Sequence, residues 1–350
     1  MRVGLVLGAG GVMGGAWLTG GLEALARETG WDPGSADAIV GTSAGSLMGA
    51  LLAADIPPWF MVAHSAGEVF EGLEGHDGRA AADADRSGGA VFRLERRLPR
   101  IGPGSWSMIA HGLARPSTHT ATAVICGLLP EGMISNEPLK ETVRRAVAGG
   151  WPDHSGLWVV ACDYSTGHRV PFGRPGEPRA EIGDAVAASC AIPGFYRPVT
   201  IRGKRYVDGG VWSTSNLDLL VGDPPDLVIS LNPTSSLHPP QAWNPAHQVA
   251  HVFRRTAGRV LGSEAKRLRA AGAEVVLIQP TREDHAVMGA NLMATRNRNR
   301  VIGTAIETVT RQLRAPGVRE LLRDLPAGEP HKVARPDGPP ATWPRIGTRA

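Results

Sequence analysis

The stretch AIVGTSAGSLMGALLA, residues 38–53, passes from a short apolar run through a turn of small residues into a helix-like segment. Gly41, Ser43 and Gly45 form the pattern G-x-S-x-G, in which the glycines let a serine sit in a strained turn between a strand and a helix. The same small residues would also serve simply to pack a strand closely against a helix. The stretch therefore predicts a strand, a tight turn at Ser43 and a helix, with Ser43 as a candidate nucleophile.

The order of strand, turn and helix occurs again at the start of the chain. Val3–Leu7 has the continuous apolar character of a buried strand, a glycine-rich turn spans 8–15, and Ala16–Arg27 has apolar residues at helical spacing. Repeated units of this kind predict an α/β fold with a mostly parallel central sheet and helices on both faces. Further strands are predicted at 157–163, 205–208, 227–231 and 274–278, with helices at 181–188, 255–270 and 298–313.

Composition narrows the class of protein. The 350 residues carry 37 basic and 33 acidic side chains, a small excess that does not favour a nucleic-acid partner. Three cysteines without metal-ligand spacing favour neither a disulfide framework nor a metal site, and suggest a reducing cytoplasm. No apolar run reaches the length of a membrane span, so a cytoplasmic protein, able to associate with a membrane at its periphery, is expected.

Two segments interrupt the regular pattern. Residues 56–117 are poorly periodic and rich in Gly and Asp, which predicts a mobile insertion or lid. Its apolar residues Trp59, Phe60, Trp106 and Met108 either meet lipid or fill a small separate core. We expect a main domain at 1–315 with its motif core at 3–220, followed at 316–350 by a short helix and a disordered tail rich in Pro, Gly and Arg.

The glycine-rich turn GAGGVMGG, residues 8–15, admits two interpretations. A dinucleotide-binding loop needs glycine at the position of Met13, and no acidic residue follows at the end of a second strand, so this interpretation is disfavoured. Exposed backbone N–H groups at the start of a helix also suit an oxyanion. Gly10 and Gly11 are the expected donors.

The base that would activate Ser43 has two sets of candidates. Four late histidines lack the context of a strand followed by a loop: His238, His247, His251 and His285. Asp208 ends a predicted strand at Gly209 and Gly210, which would place its carboxylate at the carboxyl edge of the sheet, beside the Ser43 turn. A hairpin turn is the other common use of Asp-Gly.

Together these motifs resemble those of the patatin-like phospholipase family. The likeness rests on LVLGAGGVMGGAW, on IVGTSAGSLMGALLA and on the longer AASCAIPGFYRPVTIRGKRYVDGG, residues 187–210, and it extends more loosely to about residue 313. It implies a three-layer patatin-like fold, a Ser43–Asp208 dyad without histidine and an oxyanion hole at Gly10 and Gly11. Gly41, Gly45, Gly209 and Gly210 match the glycines of the family motifs.

The resemblance implies a serine acyl hydrolase that cleaves lipid or phospholipid esters through an acyl-enzyme, without metal or cofactor. An acyltransferase with the same nucleophile, or a regulatory or binding protein with little activity, are the alternatives. A lipid or acyl-ester substrate and transient contact with a membrane surface are the expected partners, and the oligomeric state is open. Met13 stands where the family usually has Arg or Lys, and Ala9 where it has Gly, which leaves phospholipid and neutral ester substrates both open.

Overall fold

The computed structural model describes residues 1–66, 93–94, 102–114, 120–147, 149–236, 245–329 and 331. Its elements in chain order are β1 Val3–Leu7, α1 Gly11–Thr29, β2 Ala38–Thr42, α2 Ala44–Ala53, α3 Pro58–Ala66, β3 Arg93–Leu94, α4 Trp106–Ala114, α5 Thr120–Leu128, β4 Ile134–Ser135, α6 Glu137–Ala146, β5 Leu157–Asp163, β6 Arg169–Phe172, α7 Ile182–Ser189, β7 Val199–Ile201, β8 Lys204–Asp208, β9 Leu227–Leu231, α8 Pro245–Ala270, β10 Glu274–Ile278, α9 Arg282–Met288, α10 Arg298–Leu313 and α11 Pro316–Leu322.

An eight-stranded sheet forms the centre of the fold. Five strands run parallel in the order β10-β9-β1-β2-β5, while β6 and β8 pair with β5 in antiparallel register and β7 pairs with β8. The remaining pair, β3 and β4, forms a separate small ribbon. The predicted α/β fold with a mostly parallel sheet is confirmed, and an antiparallel group at one side is the feature that the sequence patterns did not predict.

Apolar residues cover both faces of the sheet. Along β1, Leu5 belongs to the larger core cluster with helices α1, α2, α7 and α10, whereas its neighbour Val6 belongs to a second cluster with α8. The same alternation separates Ile39 from Val40 in β2. Successive side chains of a strand point to opposite faces, so these two clusters place helices on both sides of the sheet, as predicted.

Strands β2 and β8 meet end to end along one edge of β5. Val160 pairs with Thr42 of β2 and, on its other side, with β6; Ala161 pairs with Asp208 of β8 and likewise with β6. Because β6 occupies one side of β5 at both positions, β2 and β8 must share the opposite side. The last residues of β2 and β8, Thr42 and Asp208, therefore lie opposite adjacent residues of β5.

This arrangement corrects one step of the sequence interpretation. Asp208 was expected at the carboxyl edge because parallel strands end there together. Strand β8 runs antiparallel to β5, so its end points the other way. Asp208 nevertheless comes close to the end of β2, because β8 enters from beyond that end and stops where β2 begins its turn.

The interrupted region 56–117 is described only in part, at α3, β3, α4 and the residues next to them. Trp59 and Met108 are buried there, which contradicts the alternative that these two side chains meet lipid. Met108 lies in a small separate core cluster, in agreement with the other alternative. Trp106 is exposed and Phe60 is half-buried. The rest of the predicted insertion, and residues 330 and 332–350 of the predicted tail, lie outside the described residues, so the division at residue 315 stays a prediction.

None of the described helices is both long enough and apolar enough to cross a membrane by itself. Helices α2 and α3 pass that test only as a pair, and they are bent by 119° relative to each other.

Candidate active site

Ser43 occupies the sharp turn between β2 and α2. Its backbone angles, φ 52° and ψ −121°, are rarely adopted by a residue with a side chain, and such strain is typical of functional turns. The Ser43 N–H donates to the Ser189 hydroxyl at 2.9 Å, and that hydroxyl donates to the Val160 carbonyl at 2.6 Å. A buried side chain of α7 therefore fixes the turn to the sheet.

Gly41 and Gly45 allow the turn to be this tight. A Cβ at Gly41 would stand 2.6 Å from the Gly45 carbonyl oxygen, and a Cβ at Gly45 would overlap the Leu7 carbonyl of β1. Distances this short occur essentially only when no Cβ is present. Both glycines of the G-x-S-x-G pattern are thus required by close backbone approach, which is the steric reason for the motif.

Asp208 lies beside this turn and is buried, with 5% of its surface exposed. Its carboxylate accepts a 2.7 Å hydrogen bond from the Gly210 N–H, and the Ser43 hydroxyl is near enough to lower its pKa. A Cβ at Gly209 would overlap the Val160 carbonyl oxygen, so the chain can leave β8 here only through a glycine. The strand junction therefore places a hydroxyl and a buried carboxylate side by side.

Burial sets the protonation behaviour of this carboxylate. Loss of hydration raises the pKa of Asp208 from 3.8 to about 6, and the Gly210 N–H and the Ser43 hydroxyl oppose the rise. The group remains ionised at neutral pH and binds a proton more tightly than a free aspartate. A carboxylate tuned in this direction is suited to accept a proton from a neighbouring hydroxyl.

The glycine-rich loop before α1 completes the site. A Cβ built at Gly210 would lie 3.7 Å from Cβ of Ala9, so the loop borders the Asp208 turn. Gly11 has φ 59°, and a Cβ at Gly10 would lie 2.6 Å from Pro233. Within the described part of the chain, no acceptor takes a hydrogen bond from the Gly10 or Gly11 N–H. These N–H groups at the start of α1 are free to bind an anion.

The loop is held from both sides by other backbone groups. Ala9 donates its N–H to the Thr214 carbonyl at 2.7 Å, and Met13 donates its N–H to the Leu292 carbonyl at 2.9 Å. The Met13 side chain is buried in the apolar core. The Met13 side chain therefore packs in the core and does not face solvent.

Asn216 joins the two halves of the site. Its amide nitrogen lies 3.0 Å from the Thr42 hydroxyl, 2.7 Å from the Ser213 carbonyl and 3.5 Å from the Gly209 carbonyl. The residue is fully buried and takes the left-handed conformation, φ 53°, which asparagine tolerates better than most residues. One side chain therefore connects the residue before Ser43 with the residue after Asp208.

Glu264 of α8 binds the segment that contains Asn216. Its carboxylate accepts from the Ser215 hydroxyl at 2.5 Å and from the Leu217 N–H at 3.0 Å. Burial raises the pKa of Glu264, and the nearby charge of Asp218 raises it further. A buried acid from the second face of the sheet thus fixes the segment that follows Asp208.

We expect Asn216→Ala to lower the free energy of unfolding by about 2–4 kcal/mol, because buried carbonyls lose their donor and alanine is strained at positive φ. Asn216→Gly is the matched variant, since it also removes the amide but accepts this conformation, and it should lose about 1 kcal/mol less. Urea unfolding of the three proteins measures both differences. Wild-type stability in both variants would contradict the proposed bridging role.

None of the described histidines hydrogen-bonds to Ser43 or Asp208. His285 is buried in α9, neither of its ring nitrogens has a hydrogen-bond partner among the described residues, and burial lowers its pKa to about 4. The side chains of His238, His247 and His251 lie outside the described residues. Among the residues that are described, no group of three or more His, Cys, Asp or Glu side chains could hold a metal ion.

The sequence patterns point to Ser43, Asp208 and the glycines, which the structure places close together, and they do not point to Ser189, Asn216 or Glu264. Ser189 lies inside the stretch AASCAIPGF that carried the family resemblance, but nothing in the pattern showed that its hydroxyl supports the serine turn. Asn216 follows the Asp-Gly-Gly motif closely, and only its conformation and contacts reveal its place. Glu264 lies on a helix whose charged residues look like an ordinary solvated face.

Comparison with known families agrees with this geometry. A sequence model described as patatin-like phospholipase matches residues 5–221, which is more than half of the chain. The matched part includes the glycine-rich loop, the Ser43 turn, Asp208 and Asn216, whereas Glu264 lies beyond it.

Proposed function

The chain belongs to the patatin-like phospholipase family, a family of lipid acyl hydrolases, and from this premise we propose that it cleaves lipid esters with Ser43 as nucleophile and Asp208 as base. The observation that carries the proposal is the close approach of the buried Asp208 carboxylate to the Ser43 turn, at the adjacent ends of β8 and β2. Serine is a weak nucleophile until a neighbouring base takes its proton, and this contact supplies such a base.

The reaction proceeds in two steps. Asp208 accepts the Ser43 proton as Oγ attacks the ester carbonyl, and the N–H groups of Gly10 and Gly11 stabilise the oxyanion that forms. Collapse of this intermediate breaks the bond to the alcohol, which leaves with the proton held by Asp208. Water then attacks the acyl-enzyme, Asp208 again takes the proton, and release of the fatty acid restores Ser43.

The thiol of Cys190 lies near Ser43 but is not expected to act as the nucleophile. Cys190 follows the supporting residue Ser189, and its sulfur lies within hydrogen-bonding reach of the Ser46 and Ser43 hydroxyls. Burial raises the pKa of Cys190, and the charge of Asp208 raises it further. The thiol therefore stays protonated at neutral pH and is a poor nucleophile, because the thiolate is the reactive form.

Covalent labelling tests the proposal directly. A fluorophosphonate probe should modify wild-type protein at Ser43, as read by mass spectrometry of the labelled peptide, and a screen of lipid classes should identify the esters that compete with labelling. Products formed with an added alcohol acceptor distinguish hydrolysis from acyl transfer. Absence of labelling in folded protein, together with no turnover of any lipid class, would instead favour a regulatory or binding role.

Activity should fall on the acid side with an apparent pKa of about 6. Only the ionised form of Asp208 accepts the Ser43 proton, and the pKa of this group is about 6, so kcat/KM should be halved near that pH and decline about tenfold for each further unit of acid. The measurement is kcat/KM on a neutral, soluble ester whose own charge does not change. A profile that stays flat down to pH 4 would show that Asp208 is not the base.

A further inference from the structure

Helices α4 and α5 form an antiparallel pair with an exposed apolar face. The start of α4 lies beside the end of α5, because Gly104 and Ser105 donate their N–H groups to the Leu129 and Gly127 carbonyls at 2.9 and 3.1 Å. We propose that this face, defined by Trp106, Leu113, Ile125, Leu128 and Leu129, is the surface through which the protein docks on a lipid bilayer. The inference rests on the proposed function.

The exposed residues follow the helical repeat on both helices. Trp106 and Leu113 are seven residues apart on α4, and Ile125, Leu128 and Leu129 are three or four apart at the end of α5, so each set lies on one side of its helix. The exposed fractions are large for apolar side chains: Trp106 70%, Leu113 68%, Ile125 60%, Leu128 53% and Leu129 38%. Scattered single apolar residues are normal at a surface, whereas a stripe shared by two helices indicates a binding face.

The absence of charge distinguishes this face from an ordinary protein surface. Residues 102–114 and 120–130 contain no Asp, Glu, Lys or Arg, and His111 is their single titratable side chain apart from Cys126. A rim of charges usually surrounds an apolar contact between soluble proteins, since it fixes orientation and excludes wrong partners. An uncharged apolar face can enter the boundary between lipid headgroups and acyl chains, because the protein then has no charged side chain to desolvate.

The inner side of the helix pair connects it to the active site. Met108 and Ala123 pack in a small cluster with Val207 and Val211, the residues that flank the Asp208 turn. Cys126, on the inner side of α5, lies close enough to Asp208 for the aspartate charge to raise its pKa, in addition to the larger effect of burial. The helix pair therefore packs against the strand end that carries Asp208.

Flotation with phosphatidylcholine vesicles tests the surface separately from catalysis. The test variant is Trp106→Gln, Ile125→Gln, Leu128→Gln, since glutamine preserves helix propensity and adds no charge. Val252→Gln is the matched control, because it removes an exposed apolar side chain from α8. All proteins carry Ser43→Ala in the flotation assay, so that lipid is not consumed. Circular dichroism verifies that they are folded. If the triple variant does not fold, Ile125→Gln alone replaces it.

We expect the triple variant to lose vesicle binding by about tenfold or more, the control to bind as the unmodified protein does, and binding to change little with salt because it involves no charge. With Ser43 present, hydrolysis of vesicle lipid should fall in parallel, while a soluble short-chain ester should be cleaved within about twofold of wild type.

Three results would overturn the docking surface. These are equal vesicle binding by the triple variant, binding that disappears at high salt, and a wild-type dimer in sedimentation that the triple substitution converts to a monomer, which would assign the face to a second copy. Loss of vesicle binding in the triple variant, combined with a wild-type protein that cleaves no ester, would support the surface and reject the proposed hydrolase.

Discussion

Ser43→Ala should abolish ester hydrolysis, with kcat lowered by about 10³-fold or more, and leave the protein folded. The hydroxyl oxygen is the atom that forms the acyl-enzyme, so no other group can replace it in the proposed reaction. The substitution removes one atom from a crowded turn and leaves intact the Ser43 N–H bond that Ser189 accepts. Initial rates on the best lipid ester, with the free fatty acid measured directly, give the comparison.

Ser46→Ala is the matched control, because it removes a hydroxyl from the same turn. That hydroxyl donates to the Ser43 carbonyl at 2.6 Å and has no part in the proposed chemistry. We expect a loss of about tenfold or less from altered positioning. Fluorophosphonate labelling that persists in Ser43→Ala would reject Ser43 as the nucleophile, whatever the rates show.

Asp208→Asn should reduce activity about as far as Ser43→Ala, and the double variant should be little worse than either, because the two groups act in one step. Asparagine has almost the same shape and can still accept from the Gly210 N–H, so the turn is preserved while the proton acceptor is lost. Rates of wild type, both single variants and the double variant, measured on one ester, give a double-mutant cycle.

The same variant should be more stable than wild type at neutral pH. The pKa of Asp208 is higher in the folded protein, about 6, than the 3.8 of a free group, so the folded state favours the protonated form. Burial of the ionised carboxylate lowers the free energy of unfolding. This loss of stability is absent below pH 3.8, increases between pH 3.8 and 6, and reaches its full size above pH 6. Asparagine avoids this cost, which is about 2–3 kcal/mol, and unfolding in urea at pH 5 and 8 would reveal it.

A catalytic triad makes the opposite prediction about histidine. Single changes to glutamine at His238, His247, His251 and His285 should each leave turnover within a few-fold, after correction for any loss of folded protein. A folded histidine variant as inactive as Ser43→Ala would establish a third catalytic residue and reject the dyad.

The parts of the fold with strong local patterns were predictable from sequence. Strand β5 at 157–163 and helix α10 at 298–313 have the predicted bounds, because a continuous apolar run and a helical stripe respectively specify them. Helix α1 begins earlier than predicted, at Gly11, since its first turn is rich in glycine and lacks helix propensity. Packing against Pro233 and bonding to Leu292, both distant in sequence, hold that turn in place.

The candidate site was predictable as a set of residues and only partly as an arrangement. Gly41 and Gly45 predict a close approach of backbone segments, and the serine between them is recognisable as a candidate nucleophile. The direction of β8 was not recognisable, because a run of five residues fits a parallel or an antiparallel strand equally well. The roles of Ser189 and Asn216 depend on tertiary hydrogen bonds, which leave no periodic trace in a sequence.

The meeting of β2 and β8 on one edge of β5 makes the spacing of Ser43 and Asp208 independent of the length of chain between them. That connection can gain or lose residues in its loops, since the ladder positions opposite Val160 and Ala161 alone determine where the two strands stop. A slip of β8 by a single residue is different, because it would turn the Asp208 side chain to the other face of the sheet. Insertions are therefore tolerated in the loops between the two residues, but not within β5, in α7 near Ser189, or in the last few positions before the aspartate.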